Sequence, residues 1–166
     1  VIATDLSAKR LREVLHYDAD GGVFFWKLRR GRQRAGAIAG SLKPDGYIYT
    51  GVDGFDHKAH RLVFLYQTGQ WPLHCVDHIN GNRADNRWFN LRDVPFAVNC
   101  QNKRTAKPGK LYSNLIGVTR HKPSGLWVAA VKLNGKDRYR KYFRSEQEAH
   151  EAYLEAKREL HVGSTI

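Results

Sequence analysis

At 166 residues, 42% of them hydrophobic, the chain is long enough for one domain or two small ones, although a segment of half this length is only marginally stable alone. Lys and Arg total 28 against 16 Asp and Glu, a formal charge of +12, and no apolar run reaches the roughly 18 residues of a membrane span. The first residues lack a signal peptide's apolar stretch, and the two cysteines, Cys75 and Cys100, lack CxxC spacing, which argues against secretion, against a disulfide scaffold and against structural zinc, and for a reducing cytoplasm.

Ser7 to Leu15 places Leu11, Val14 and Leu15 at helical spacing, with Thr4 or Ser7 as N-cap. Asp18-Ala19-Asp20-Gly21-Gly22 signals a turn, and VFFWKL, Val23 to Leu28, reads as a strand. Arg29 to Gly36 is a basic loop that either touches phosphates or forms a solvated hairpin tip. Asp53-Gly54 between two strand-like runs is a type I′ hairpin signal. His60 to Gly69 puts Leu62, Val63, Leu65 and Tyr66 on one helical face, with Gly69 as C-cap and Pro72 preventing continuation. Cys75-Val76 resumes extended structure and delivers Asp77-His78 at its end. NLRDV is a second short strand, and Pro95 suits the first turn of a helix that continues through FAVNCQNKR.

Thr105 onward is polar, contains Pro108-Gly109 and reads as a linker. Beyond it, IGVTRHK, LWVAAVKL and RYRKYF are three strand candidates turned at Ser124-Gly125 and Asn134-Gly135. Ser145 and Glu148 form a capping box that opens a helix with Ala149, Ala152, Tyr153 and Ala156 on one face. The expected fold class is α+β: N-terminal β-hairpins with a strand–loop–strand–helix unit, then a small three-stranded antiparallel sheet packed on one helix. The expected domains are 1–104 and 114–166, joined by a linker at 105–113.

The positive charge is concentrated. Between Lys103 and Arg144 the Lys and Arg residues are opposed only by Asp137, a pattern that suits a polyanion, and the interleaved aromatic residues favour nucleic acid. Arg138 and Arg140 share a strand face by period two, and a ribbon of this kind fits a major groove. Trp127 either stacks on nucleic acid or, the preferred reading, caps the core between sheet and helix. Tyr139 and Phe143 are expected to face the helix, opposite Tyr153.

The chemistry lies in VDHINGNRADNRWFN, residues 76–90. Neighbours on a strand point to opposite faces, so Asp77 and His78 serve one substrate only if the strand ends there and the backbone turns. The Gly and Asn residues that follow permit such a turn. Asp and Asn, including Asn99 on the following helix, offer hard oxygen donors that suit Mg²⁺ or Mn²⁺ better than zinc. A neutral histidine takes a proton from water near pH 7. Metal, base and basic surface together are what phosphodiester hydrolysis requires. An Asp-His pair alone is ordinarily a surface turn; the whole set makes the difference. His60 reads as a cap or packed ring, and Cys75 and Cys100 as small buried hydrophobes.

The stretch HRLVFLYQTGQWP…VDHINGNRADNRWFNLRDVPFAVNCQN resembles an HNH nuclease of the ββα-metal fold, of the type found in phage and mobile intron-encoded homing endonucleases. The resemblance spans about residues 10–104, with its specific core from His60 to Asn102. It implies His78 as general base, Asp77 as metal ligand, Asn90 as a brace whose amide bonds the loop backbone, and Asn99 as second ligand. Asn102, one helical turn on, is the rival for that role. Asn replaces the final His of the motif, which implies a weakly held, oxygen-coordinated Mg²⁺. Arg83, Arg87 and Arg92 are candidates to clamp neighbouring phosphates. A bacterial or phage-infected host cell is the implied setting, with the enzyme a monomer or homodimer.

Asn114 to Leu160 resembles the APETALA-type DNA-binding domain of plant ethylene-response factors, a module also found fused to HNH nucleases. The resemblance rests on Gly117-Val118, the turn before Trp127, Ala129-Ala130, Phe143 and the helix EQEAHEAY. It implies a sheet docked in the major groove of double-stranded DNA through Thr119, Arg120, His121, Ala130, Lys132, Arg138 and Arg140. The plant domains carry arginines and a glutamate where this chain has Thr119, His121 and Ala130, so their base preference does not carry over. The reading is a divalent-metal-dependent DNA endonuclease. The alternatives are a catalytically degenerate DNA-binding or regulatory protein, against which the intact Asp77, His78, Asn90 and Asn99 set argues, and a protein directed at RNA.

Overall fold

The computed structural model describes residues 6–106 and 113–166. Thr4, one of the two N-cap candidates, and residues 107–112, most of the expected linker, lie outside the described residues. The chain is α+β and divides into two compact units, Val1–Pro95 and Phe96–Ile166.

In the first unit, α1 (Ala8–Val14) opens at Ser7, whose side-chain oxygen accepts the Arg10 N–H at 3.1 Å, and it buries Leu11 and Val14. β1 (Leu15–Asp18) and β2 (Val23–Trp26) pair antiparallel, with Leu15 opposite Trp26, and β3 (Ile38–Ala39) joins the other edge of β2. A second sheet holds β4 (Ser41–Leu42), β5 (Ile48–Val52) and β6 (Phe55–Lys58) in that order. Its β5–β6 turn is Asp53-Gly54, with φ of 48° and 90°. α2 (Ala59–Thr68) follows β6 directly and ends at Gly69, whose N–H bonds the Leu65 carbonyl in a left-handed C-cap. β7 (Cys75–His78) and β8 (Leu91–Val94) form a two-stranded antiparallel sheet, with a single 3-10 turn, Trp88–Asn90, leading into β8. One core unites these elements: Leu11, Leu15, Tyr17 and Phe24 pack with Leu62, Leu65, Val76 and Leu91. β3 and β4 were not expected, since two residues are too few to show an alternation.

In the second unit, α3 (Phe96–Gln101) precedes a sheet of β9 (Val118–Arg120), β10 (Trp127–Leu133) and β11 (Lys136–Phe143), with β10 central. The β10–β11 turn is Asn134-Gly135, and the pairing slips by one residue between Val131 and Lys132. α4 (Glu146–Leu160) starts at Ser145, whose side chain accepts the Glu148 N–H. Val118, Ala129 and Val131 from the sheet meet Ala149, Tyr153 and Ala156 from α4, with Trp127, Tyr139 and Phe143 packed against them. Lys157 joins the buried side of this helix, where its Nζ donates to the Lys103 carbonyl at 2.5 Å. Burial, and then the charge of Arg104, bring its pKa down to about 8. No helix among the described residues is long and apolar enough to cross a membrane.

Candidate functional site

The β7–β8 loop is held by its own amides. Asn80 Oδ1 accepts the Asn82 N–H at 2.8 Å and Asn82 Oδ1 accepts the Ala84 N–H at 3.1 Å, two successive Asx turns. Asn90, buried at the end of the loop, reaches back: its Oδ1 accepts the Asn80 N–H at 2.9 Å, and its Nδ2 donates to the Asp85 carbonyl at 2.8 Å and to Asn80 Oδ1 at 3.1 Å. Asp85 takes a forked pair from Arg87, Nε to Oδ1 at 2.7 Å and Nη2 to Oδ2 at 2.5 Å, and also the Asn80 Nδ2 donor. The Arg87 bonds outweigh desolvation and hold the Asp85 carboxyl down at about 2. A polar loop thus meets its hydrogen-bonding needs without becoming a regular element.

His78, the last residue of β7, is 4% exposed, and Asn86 is 2% exposed. Asn86 Oδ1 lies 3.1 Å from His78 Nε2. An amide oxygen only accepts, so Nε2 carries the proton and donates it, and the neutral ring keeps its lone pair on Nδ1. Burial is the main reason the His78 pKa is lowered; the Asn86 bond and the charges of Asp77 and Asp85 oppose that shift. Asn86 is itself pinned, because its backbone carbonyl accepts the buried Tyr17 hydroxyl at 2.7 Å. The turn before β2 closes on the same segment: a Cβ on Gly22, at φ 70°, would lie 2.5 Å from the Arg87 nitrogen, so only glycine permits the approach.

Two further rings pack on His78. His60 stands edge-on to it at 5.1 Å, and Tyr47 lies 5.9 Å from it and 5.0 Å from His60. Burial, then the neighbouring His78, bring the His60 pKa down to about 3, so His60 is neutral at any working pH.

Asp77, 6% exposed, sits directly across the ladder from Arg92. Arg92 Nε and Nη2 donate to the same Asp77 oxygen, Oδ2, at 2.9 and 2.7 Å. Among the described residues no group of three or more His, Cys, Asp or Glu side chains is placed to hold a metal ion. The donor chemistry is one carboxylate together with amides, a set that binds a hard divalent ion weakly and leaves its remaining positions to water and substrate phosphate. Within the first unit the donor of that kind is Asp77, whose Oδ2 already takes both Arg92 donors.

The other expected residues fall as follows. Arg83 donates to the Asp45 carbonyl at 2.9 Å and lies over the Tyr47 ring at 5.0 Å. Asn99 lies on α3, half-buried, and Asn102 is buried with its Oδ1 accepting the Thr165 hydroxyl at 2.6 Å, both within the second unit. Thr119, Arg120, Lys132, Arg138 and Arg140 are exposed on β9–β11. Arg120 covers the Trp127 ring at 5.5 Å, and His121 bonds Ser124 at 2.8 Å. Asp137 faces both Arg140, at 2.8 Å, and Lys132, at 3.9 Å. Sequence reasoning missed Asn86, Tyr17 and Tyr47. For Asn86 the density of asparagines was the one available signal; the other two carry none.

Residues 57–101 match the family model described as HNH endonuclease, a span that runs from the end of β6 through the β7–β8 loop to the last residue of α3. The match supports a nuclease of the HNH type. It does not extend to β9–β11 or α4. No curated protein and no solved structure matches the chain.

Proposed function

We propose that the chain is a divalent-metal-dependent endonuclease that hydrolyses phosphodiester bonds in double-stranded DNA, with His78 as general base. The observation that carries this reading is the bond from His78 Nε2–H to the buried Asn86 amide. It sets the tautomer in which Nδ1 takes a proton from the attacking water. Burial keeps the ring neutral near pH 7, the form that a base must have. When the proton arrives, the Asn86 oxygen and the carboxylates of Asp77 and Asp85 stabilise the imidazolium. Asn90 acts at one remove, by keeping the loop that carries Asn86 in one conformation. Asp77 and, by the family resemblance, Asn99 are the residues that would hold Mg²⁺ or Mn²⁺. Such an ion, when bound, supplies positive charge to the phosphate under attack.

The basic sheet β9–β11 is the proposed dock on duplex DNA, through Thr119, His121, Lys132, Arg138 and Arg140. Its support is the exposure of the cations Lys132, Arg138 and Arg140, the inward packing of Tyr139 between the two arginines, and the resemblance to the APETALA-type domain. The degenerate, purely DNA-binding alternative draws on one observation, the Arg92 guanidinium on Asp77.

One assay separates the two. Supercoiled plasmid with Mg²⁺ is expected to be nicked or linearised by the intact protein, and His78→Ala is expected to slow this by about 100-fold or more. Undiminished cleavage by the variant removes His78 from its role. Plasmid that is bound but left uncut by the intact protein, with Mg²⁺ or Mn²⁺, establishes the alternative.

A further inference from the structure

The nuclease reading leaves open which cations meet the DNA backbone beside His78. Three elements far apart in sequence answer it. Tyr47 lies in the β4–β5 turn, Lys58 is the last residue of β6, and Arg83 lies in the β7–β8 loop. Lys58 Nζ stands 3.9 Å from the Tyr47 ring centroid and Arg83 Cζ stands 5.0 Å from it, while the same ring packs 5.9 Å from His78. Two cations therefore reach to within one aromatic ring of the proposed base.

The charge balance singles out this pair. Arg87 is spent on Asp85 and Arg92 on Asp77, each through two donors to a carboxylate. Arg83 instead hydrogen-bonds and stacks on neutral groups, the Asp45 carbonyl and the Tyr47 ring, and among the described residues it forms no ion pair, the Asp45 carboxylate feeling its charge only from beyond contact distance. Lys58 does face a carboxylate, Asp45, but at 3.8 Å, with both side chains substantially open to water. A pair of that kind holds weakly. Asp45 has other ties, accepting the Tyr49 hydroxyl at 3.0 Å and the Tyr47 N–H at 3.2 Å, so its turn stays closed when the ammonium turns to another anion.

We infer that Tyr47, Lys58 and Arg83 form a phosphate clamp: the ring holds an ammonium and a guanidinium at the rim of the His78 site, where they grip the backbone of duplex DNA next to the position that is cut. That the gripped position is one that is cut rests on the nuclease reading, while the grip itself rests on the ring geometry. The guanidinium offers planar, directed donors and the ammonium a mobile point charge, a combination suited to phosphate oxygens on adjoining nucleotides.

The test is a salt titration of binding between a labelled DNA duplex and the full chain carrying His78→Ala. Each phosphate contact contributes about 0.9 to the slope of log affinity against log salt. Lys58→Ala and Arg83→Ala are each expected to lower that slope by about 0.9 and to weaken binding alike for unrelated sequences, with melting unchanged. Lys58→Arg, which keeps the charge, is expected to restore the slope. Unchanged slopes for both alanine variants overturn the clamp, and so does an equal fall in Lys9→Ala, an exposed lysine of α1. The slope counts phosphate contacts whether or not the chain cuts DNA. A fall in a protein that never cleaves plasmid thus supports the clamp while the nuclease reading fails, and unchanged slopes in an enzyme that cleaves overturn the clamp alone.

Discussion

Asp77 and Arg92 face each other across the β7–β8 ladder, with two guanidinium nitrogens on one carboxylate oxygen at 2.9 and 2.7 Å. The proposed metal ligand therefore rests with a countercharge already in place. Arg92→Ala takes that countercharge from a buried carboxylate and is expected to lower stability by about 2–3 kcal/mol, below the full range for a buried pair because Arg92 retains some exposure. Urea unfolding of Arg92→Ala, Asp77→Asn and the double variant measures the coupling. Additive losses would show that the pair contributes nothing.

The Asn86 amide orients His78, and Tyr17 orients Asn86. Asn86→Ala is expected to lower kcat by about 100-fold while leaving KM within a few-fold, because a misplaced base affects the chemical step rather than binding. Tyr17→Phe removes one bond further out and is expected to act in the same direction by a smaller factor. A KM effect with kcat intact in Asn86→Ala would contradict the orienting role. Plasmid cleavage over a range of DNA concentrations supplies both numbers.

Asp85 gives a pH signature. Its carboxyl is held at about 2, mainly by Arg87, against an ordinary value of about 3.9 in an unfolded chain. A carboxyl depressed on folding contributes stability in full above the unfolded value and loses it as pH falls through the folded one. The stability gap between the parent and Asp85→Asn is therefore expected to be constant above about pH 5 and to close between about pH 4 and pH 2. Chemical unfolding at stepped pH measures it, and a gap that persists at the acid end would sink the assignment.

Gly117 offers a test in the second unit. It lies at φ 77°, and a Cβ there would fall 2.1 Å from the Tyr153 ring, which is packed in the core between sheet and α4. Gly117→Ala is expected to cost about 2–4 kcal/mol, from backbone strain and displacement of the ring together. Thermal unfolding followed by near-ultraviolet circular dichroism reports it, and a melting point within a degree or so of the parent would contradict it.

Local signals located most elements. Asp53-Gly54 and Asn134-Gly135 sit at the β5–β6 and β10–β11 turns, Ser7 and Ser145 cap α1 and α4, and Gly69 ends α2. Each is a short-range property of backbone conformation or of one side chain bonding the backbone within a few residues, so it is written in adjacent letters. The two-residue strands β3 and β4 exist only because a neighbouring strand pairs with them, and nothing in their own letters marks them.

The candidate site divides along the same line. By itself the sequence determined that an acid, a histidine and a run of amides occupy the end of a strand and the loop after it, and that a basic, aromatic-bearing sheet follows. Only the tertiary structure decided what those side chains touch. Strand register put Arg92 on Asp77, loop closure put Asn86 on His78, and the meeting of the β4–β5 turn, the end of β6 and the β7–β8 loop put Tyr47, Lys58 and Arg83 at one rim. Composition fixes the supply of charges and hydrogen-bonding groups, whereas their pairing depends on separations of a few ångströms between residues far apart in the chain. Those separations exist only once the core of Leu11, Leu62, Leu65, Val76 and Leu91 has packed.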